Sequence, residues 1–95
     1  MHRLIVLPPA AKFIKKIKNK NLKALFHKNL LEIAKNPYIG ERKTGDLQGL
    51  FCYDFYYNKV NYEVAYTIEE DPEKVVVVIL SGSRENFYEQ LKRYM

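Results

Sequence analysis

The chain is poor in the residues that would define a metal or disulfide framework. It has one cysteine, Cys52, which excludes an internal disulfide and a cysteine-based zinc site. Its two histidines, His2 and His27, lie far apart without metal-ligand spacing. Glycine and proline number only 4 each, so long low-complexity stretches are excluded. Long hydrophobic runs are missing too. The opening "LIVLPPAA" is too short to span a bilayer, and a lysine-rich run follows it instead of preceding it, the wrong order for a signal peptide. No phosphate-binding glycine loop and no nucleophile triad is visible. These gaps argue against a metabolic enzyme and against a membrane protein. A soluble, cytoplasmic protein that needs no cofactor and no metal is expected.

What is present suits one small domain over residues 1–95, with 47% hydrophobic residues for a modest core. The charge is uneven. Residues 1–43 carry 11 lysines and arginines against Glu32 and Glu41, a net +9. Residues 44–95 carry 5 against 9 acidic residues, a net −4. A basic front half fits a polyanion, an acidic partner, or simply a solvated helical face.

"HRLIVLP" reads as a strand stopped by Pro8-Pro9, with Pro9 able to open a helix. Ala10, Phe13, Ile14 and Ile17 then follow helical spacing, with Lys12, Lys15, Lys16 and Lys18 between them. Asn19 to Asn21 reads as a break. Leu22, Leu25, Phe26, Leu30, Ile33 and Ala34 form a second apolar face, ended by Asn36-Pro37. "YIGERKTGDLQG" is the longest expected loop. Two alternating stretches follow, "LFCYDFYY" and "NYEVAYTIEE", with Asn58-Lys59 as a tight turn. Asp71-Pro72 turns the chain into "KVVVVIL", apolar on both sides and so central or covered. A short last helix buries Phe87 and Leu91.

The expected order is β-α-α-β-β-β-α. It makes an α+β fold with a mainly antiparallel four-stranded sheet. Two N-terminal helices cover one face, and the other face stays partly open.

Alternation sets Leu50, Cys52, Asp54 and Tyr56 on that second face, and Phe51, Tyr53, Phe55 and Tyr57 on the first. A two-residue turn brings Asp54 directly opposite Glu63, beside Asn61 and Thr67; a four-residue turn makes them diagonal neighbours. Opposed like charges need an answering cation, a proton on one carboxyl, or water. Arg84 leaves the last strand through a Gly-Ser turn, where its guanidinium can clamp a phosphate or pair with Asp54 or Glu63. Tyr88 lies four residues on, positioned to stack on a base, to donate a proton, or to pack on the sheet. Nothing beside Cys52 activates a thiolate, and His27 reads as a surface residue among lysines.

Over nearly its whole length the chain resembles the RelE/ParE superfamily of type II toxins. The resemblance rests on the opening strand before "PPAAKFIKKIK", the helix end "NPYIG", then "KTGDLQGLFCYDFYYNKVNYEVAYTI", and above all "VVVVILSGSRENFYEQLKRY". It implies a toxin neutralised by a cognate antitoxin. RelE-like members cut mRNA in the ribosomal A site without a metal, by activating the 2′-hydroxyl; ParE-like members inhibit DNA gyrase. Arg84 matches the family's arginine after the last strand, and Tyr88 its late tyrosine. Three positions that are basic in RelE-like toxins are held by Asp54, Tyr56 and Glu63, which removes much of the cationic stabilisation of the transition state.

Two readings follow. In one, the chain is a ribosome-dependent mRNA endonuclease with a rebuilt site. Asp54 or Glu63 is the base, Arg84 the phosphate clamp, and Tyr88 the stacking or donating group. Lys12, Lys15, Lys16, Lys18, Lys20, Lys23, Lys28 and Lys43 hold RNA. In the other, it is a non-nucleolytic toxin acting on gyrase, or an inactive antitoxin-binding module.

Overall fold

The computed structural model describes residues 1–94. The chain runs β1 (Arg3–Val6), α1 (Pro8–Lys15), α2 (Lys20–Lys35), β2 (Glu41–Arg42), β3 (Phe51–Tyr57), β4 (Val60–Glu69), β5 (Val75–Ser83) and α3 (Phe87–Lys92). The strands form one sheet in the order β1-β5-β4-β3-β2. β1 pairs parallel with β5, and the other pairs are antiparallel. The α+β class and the expected order of elements hold.

The sheet has five strands where the sequence suggested four. The extra one, β2, lies inside the expected loop and pairs Glu41 with Cys52 and Arg42 with Phe51. Two exposed residues carry no alternation, so only the partner strand defines them as a strand. The helix break also sits earlier than Asn19 to Asn21. Asn19 is the N-cap of α2, its side chain accepting the Leu22 N–H at 3.0 Å. Pro8, not Pro9, opens α1.

The β3–β4 hairpin follows its sequence closely. Asn58 and Lys59 both take positive φ, 51° and 67°, as a two-residue turn between twisted strands demands. That turn fixes the register, so Phe51, Tyr53, Phe55 and Tyr57 face α1 and α2 with Tyr62, Val64, Tyr66 and Ile68. The centre of this core is aromatic. Phe26 of α2 meets Phe13, Phe55 and Tyr62 with ring centroids 5.8, 4.8 and 5.6 Å away. All three are edge-on, the arrangement that ring quadrupoles favour. Fully buried Tyr66 donates its hydroxyl to the Pro37 carbonyl at 2.6 Å and accepts the Gly40 N–H at 3.1 Å. The chain leaving α2 is thereby tied to the sheet.

The second face is covered more fully than alternation alone implied. Phe87 and Leu91 of α3 close over Leu50, Cys52, Ala65 and Leu80, making a second small core. A bulge in β5 opposite Ala65 and Tyr66 makes this possible. Val76 and Val78 point to the first core, while Leu80 points to the second. The bulge thus changes which β5 residues face α3, and it brings Gly82 opposite Glu63.

Candidate functional site

The part of the second face that α3 leaves uncovered is built from cross-strand rows. In one row, Asp54 of β3 stands opposite Glu63 of β4, which stands opposite Gly82 of β5. In the next, Tyr56 stands opposite Asn61, and the Arg84 N–H donates to the Asn61 carbonyl at 2.9 Å. Of the two turns open from the sequence, the two-residue one is found, so the two carboxylates do face each other.

Their surroundings make them unlike. Asp54 is exposed, whereas Glu63 is only 4% exposed. Gly82 brings no side chain between Glu63 and α3, and the Phe87 ring packs over that glycine. Tyr88, the next residue, reaches in and donates its hydroxyl to Glu63 Oε1 at 2.7 Å. Asp54 Oδ2 accepts the Asn61 side-chain amide at 3.2 Å. The other Glu63 oxygen and the Asn61 amide oxygen are buried with no partner among the described residues. Two orphaned acceptors in one small region leave this patch short of donors.

Arg84 does not answer the acidic pair. Among the described residues it forms no ion pair, and it is exposed. The donors that meet the carboxylates are the Tyr88 phenol and the Asn61 amide. Nor do Arg84 and Tyr88 share a helical face. The Phe87 N–H donates to the Arg84 carbonyl, Asn86 takes a left-handed φ of 60°, and α3 starts only at Phe87. Tyr88 consequently turns inward while Arg84 stays at the surface.

A second cation enters from an unexpected place. Lys43, grouped by sequence with the RNA-holding lysines, follows β2 and sits over the Tyr88 ring, 4.9 Å from its centroid. Its ammonium also donates to Glu41 Oε1 at 3.2 Å. Burial alone lowers the Lys43 pKa, but its interactions with Tyr88 and Glu41 outweigh it and leave the value raised. Burial and the bond to Glu63 push the Tyr88 phenol up to about 12, so it stays protonated near neutrality. Burial pushes the Cys52 thiol up to about 11, which removes it as a nucleophile.

The remaining lysines lie elsewhere. Lys12, Lys15, Lys16, Lys18, Lys20 and Lys28 are exposed on or beside α1 and α2, while half-buried Lys23 donates to the Lys15 carbonyl at 3.2 Å. Exposed His27 lines, with Lys15 and Lys23, an apolar groove of about 550 Å³ between α1, α2 and β1, floored by Leu4, Val6 and Leu30. Among the described residues, no group of three or more His, Cys, Asp or Glu is arranged to hold a metal. No helix among them is long and apolar enough to cross a membrane.

Solved toxin structures share the fold. The free E. coli toxin RelE, in a double-mutant form, is 23% identical with a TM-score of 0.71, covering 99% of this chain and 98% of its own. The toxin–antitoxin complex RelBE2 of Mycobacterium tuberculosis is 18% identical with a TM-score of 0.74, covering 87% and 98%. The intact E. coli RelBE toxin–antitoxin complex is 24% identical with a TM-score of 0.66, covering 86% and 95%. No curated protein sequence matches significantly. Residues 4–92 match the family described as ParE-like toxin of type II bacterial toxin-antitoxin system. With that match over nearly its whole length, on a RelE-like fold, the chain belongs to the ParE-like toxins of type II toxin–antitoxin systems.

Proposed function

We propose that this toxin is an mRNA endonuclease working on the translating ribosome in the cytoplasm, and that a cognate antitoxin silences it. One observation supports the chemistry: Asn61 ties Asp54, whose carboxylate is exposed, to the backbone of Arg84, whose exposed guanidinium is unpaired among the described residues. Its side chain holds Asp54 and its backbone carbonyl holds the Arg84 N–H. Of the two candidate bases, Asp54 is the one open to a substrate, since Glu63 is enclosed beneath Tyr88.

Asp54 accepts the proton of a ribose 2′-hydroxyl. The 2′-oxygen then attacks the adjacent phosphorus, and the bond to the 5′-oxygen breaks. Arg84 offsets the charge that builds on the phosphoryl oxygens. The leaving 5′-oxygen takes its proton from water or from the Lys43 ammonium. The Tyr88–Glu63 bond holds α3 against the sheet beside this centre, with the Lys43 ammonium over the Tyr88 ring. The exposed lysines of α1 and α2 carry the salt-sensitive contacts to ribosomal RNA.

The partner proposal has its own support. Two of the solved structures with this fold are toxin–antitoxin complexes. The groove between α1, α2 and β1 offers an antitoxin apolar surface flanked by Lys15 and Lys23.

A second reading has a specific observation in its favour. The Asp54–Glu63 row is acidic where a phosphate must approach, which suits a non-nucleolytic toxin acting on DNA gyrase or an inactive antitoxin-binding module. Mapping mRNA 5′ ends after brief induction without the antitoxin separates the readings. New ends inside translated codons, absent with Arg84→Ala and Asp54→Asn, support the nuclease. Growth arrest with intact mRNA and lost supercoiling assigns the target to gyrase. No arrest leaves the binding module.

A further inference from the structure

Tyr56 stands where the family resemblance registers only a missing positive charge. It is 70% exposed, the most exposed aromatic residue in the described chain. Its neighbours on the strand, Phe55 and Tyr57, turn into the helix-covered core, so packing does not account for an aromatic at this position. An exposed tyrosine alone is ordinary. Its row is not.

Tyr56 of β3, Asn61 of β4 and Arg84, the residue after β5, are successive positions across the sheet, joined by the hairpin register and by the Arg84 N–H on the Asn61 carbonyl. Tyr56 and Arg84 are therefore two strand spacings apart, about 10 Å. Asp54 lies on the same face two residues from Tyr56, fixed by the Asn61 amide. An exposed ring and an exposed carboxylate on the hairpin thus lie beside the exposed arginine that the backbone ties to Asn61.

We infer that Tyr56 is the base-stacking platform of the RNA site, setting a nucleobase of single-stranded RNA against its ring while Arg84 holds the neighbouring phosphate. Stacking on an aromatic face is open to any base, since every base has a π-face. It gives binding energy at a position where no lysine is present to attract phosphate. It also orients the nucleotide, bringing the 2′-hydroxyl beside Asp54. This rests on the RNA reading above, but it concerns binding and has a readout separate from cleavage.

The chain contains no tryptophan, so Tyr56→Trp creates a single fluorescent reporter at the site. The probe is a short single-stranded RNA with 2′-O-methyl groups, which the enzyme cannot cut. Expected is saturable quenching of the new indole, shifted about tenfold or more to weaker binding by a second change, Arg84→Ala. Tyr38→Trp, at another exposed tyrosine, serves as reference and stays unquenched. Tyr56→Ala weakens RNA binding by a similar factor, and Tyr56→Phe restores it.

Binding of labelled RNA without quenching at position 56 would overturn the inference. So would equal quenching at position 38, no RNA binding at all, or a Tyr56→Ala change that weakens only the antitoxin complex. Quenching with no new mRNA ends in cells would defeat the nuclease reading and leave the stacking role standing. New ends unaffected by Tyr56→Ala would do the reverse.

Discussion

The Tyr88 hydroxyl donates to Glu63 Oε1 at 2.7 Å, and this bond ties α3 to the middle of the sheet. Glu63 is nearly enclosed and its second oxygen has no partner among the described residues. Removing the phenol leaves a buried carboxylate with neither oxygen satisfied. Tyr88→Phe is therefore expected to cost about 1–3 kcal/mol of stability, read as a lowered urea midpoint. Replacing both partners, as Tyr88→Phe with Glu63→Met, removes the orphaned acceptor and recovers most of the loss. A double variant no more stable than Tyr88→Phe alone counts against this account.

The same enclosure shapes stability in alkali. Tyr88 and Tyr66 are raised to about 12, and Cys52 to about 11, mainly by burial. A raised folded pKa means that the native state holds its proton longer than the unfolded chain does. The contribution is complete below the unfolded value, near 9 for the thiol and 10 for the phenols, and is lost as pH rises through the folded value. Unfolding midpoints measured from pH 8 to 12 are expected to fall from about pH 9 onward. Cys52→Ala should remove the part of the fall that begins near pH 9, and Tyr88→Phe should flatten the part beyond pH 10.

The hairpin and both N-terminal helices were legible because their signals are local. Alternation over Phe51–Tyr57 and Val60–Glu69 set the faces and put Asp54 and Glu63 on one of them, while the choice between a two-residue and a four-residue turn, and with it the direct opposition, came from the backbone at Asn58 and Lys59. The rest depends on pieces that meet only in space. β2 is two residues long and becomes a strand through Phe51 and Cys52 alone. Without β2, nothing in "GERKTG" brings Lys43 to Tyr88. The β5 bulge, which swings Leu80 and Gly82 beneath α3, sits in an unbroken run of apolar residues that carries no mark of it. Hence the sequence named Asp54, Glu63, Arg84 and Tyr88 but not how they divide. Glu63 and Tyr88 lie inside, and Asp54 and Arg84 lie outside.

Gly40 has a packing role that its exposed neighbours hide. A Cβ there would run into the Tyr66 hydroxyl, which is fixed by the Pro37 carbonyl and cannot swing away. Gly40→Ala is expected to destabilise by about 1–3 kcal/mol through overpacking. Tyr66→Phe alone costs a similar amount by orphaning the Pro37 carbonyl and the Gly40 N–H. The two changes together should cost less than their sum, since the shorter ring gives the new methyl room. Thermal unfolding of the four proteins tests this, and strict additivity would contradict it.

The lysines of α1 and α2 are predicted to act through number more than position. Lys12, Lys16 and Lys20 are exposed and make no ion pair among the described residues. Changing all three to glutamine should leave stability within about 0.5 kcal/mol, as for other surface positions. The dependence of log affinity on log salt for ribosomal RNA should become shallower by about 2, taking roughly 0.7 off the slope for each phosphate left without its lysine. An unchanged slope would move the RNA path off this face.

Arg84 gives the sharpest separation of folding from function. Its side chain is exposed and unpaired among the described residues, and its structural bonds run through its backbone N–H and carbonyl, which alanine retains. Arg84→Ala should therefore shift the unfolding free energy by no more than about 0.5 kcal/mol. Toxicity on induction should nonetheless disappear, because among the described residues no second guanidinium stands in the Tyr56–Asn61 row. Arg84→Lys tells how the arginine acts. A bidentate clamp needs the planar fork, so lysine restores little; a simple point charge is restored largely. Plate survival together with urea unfolding of wild type, Arg84→Ala and Arg84→Lys measures both properties on one set of proteins. If Arg84→Ala unfolds the chain, Arg84 belongs to the fold instead of the site. If it folds normally and still arrests growth, the target is held by other surfaces, and the groove beside α1 and α2 becomes the next place to cut.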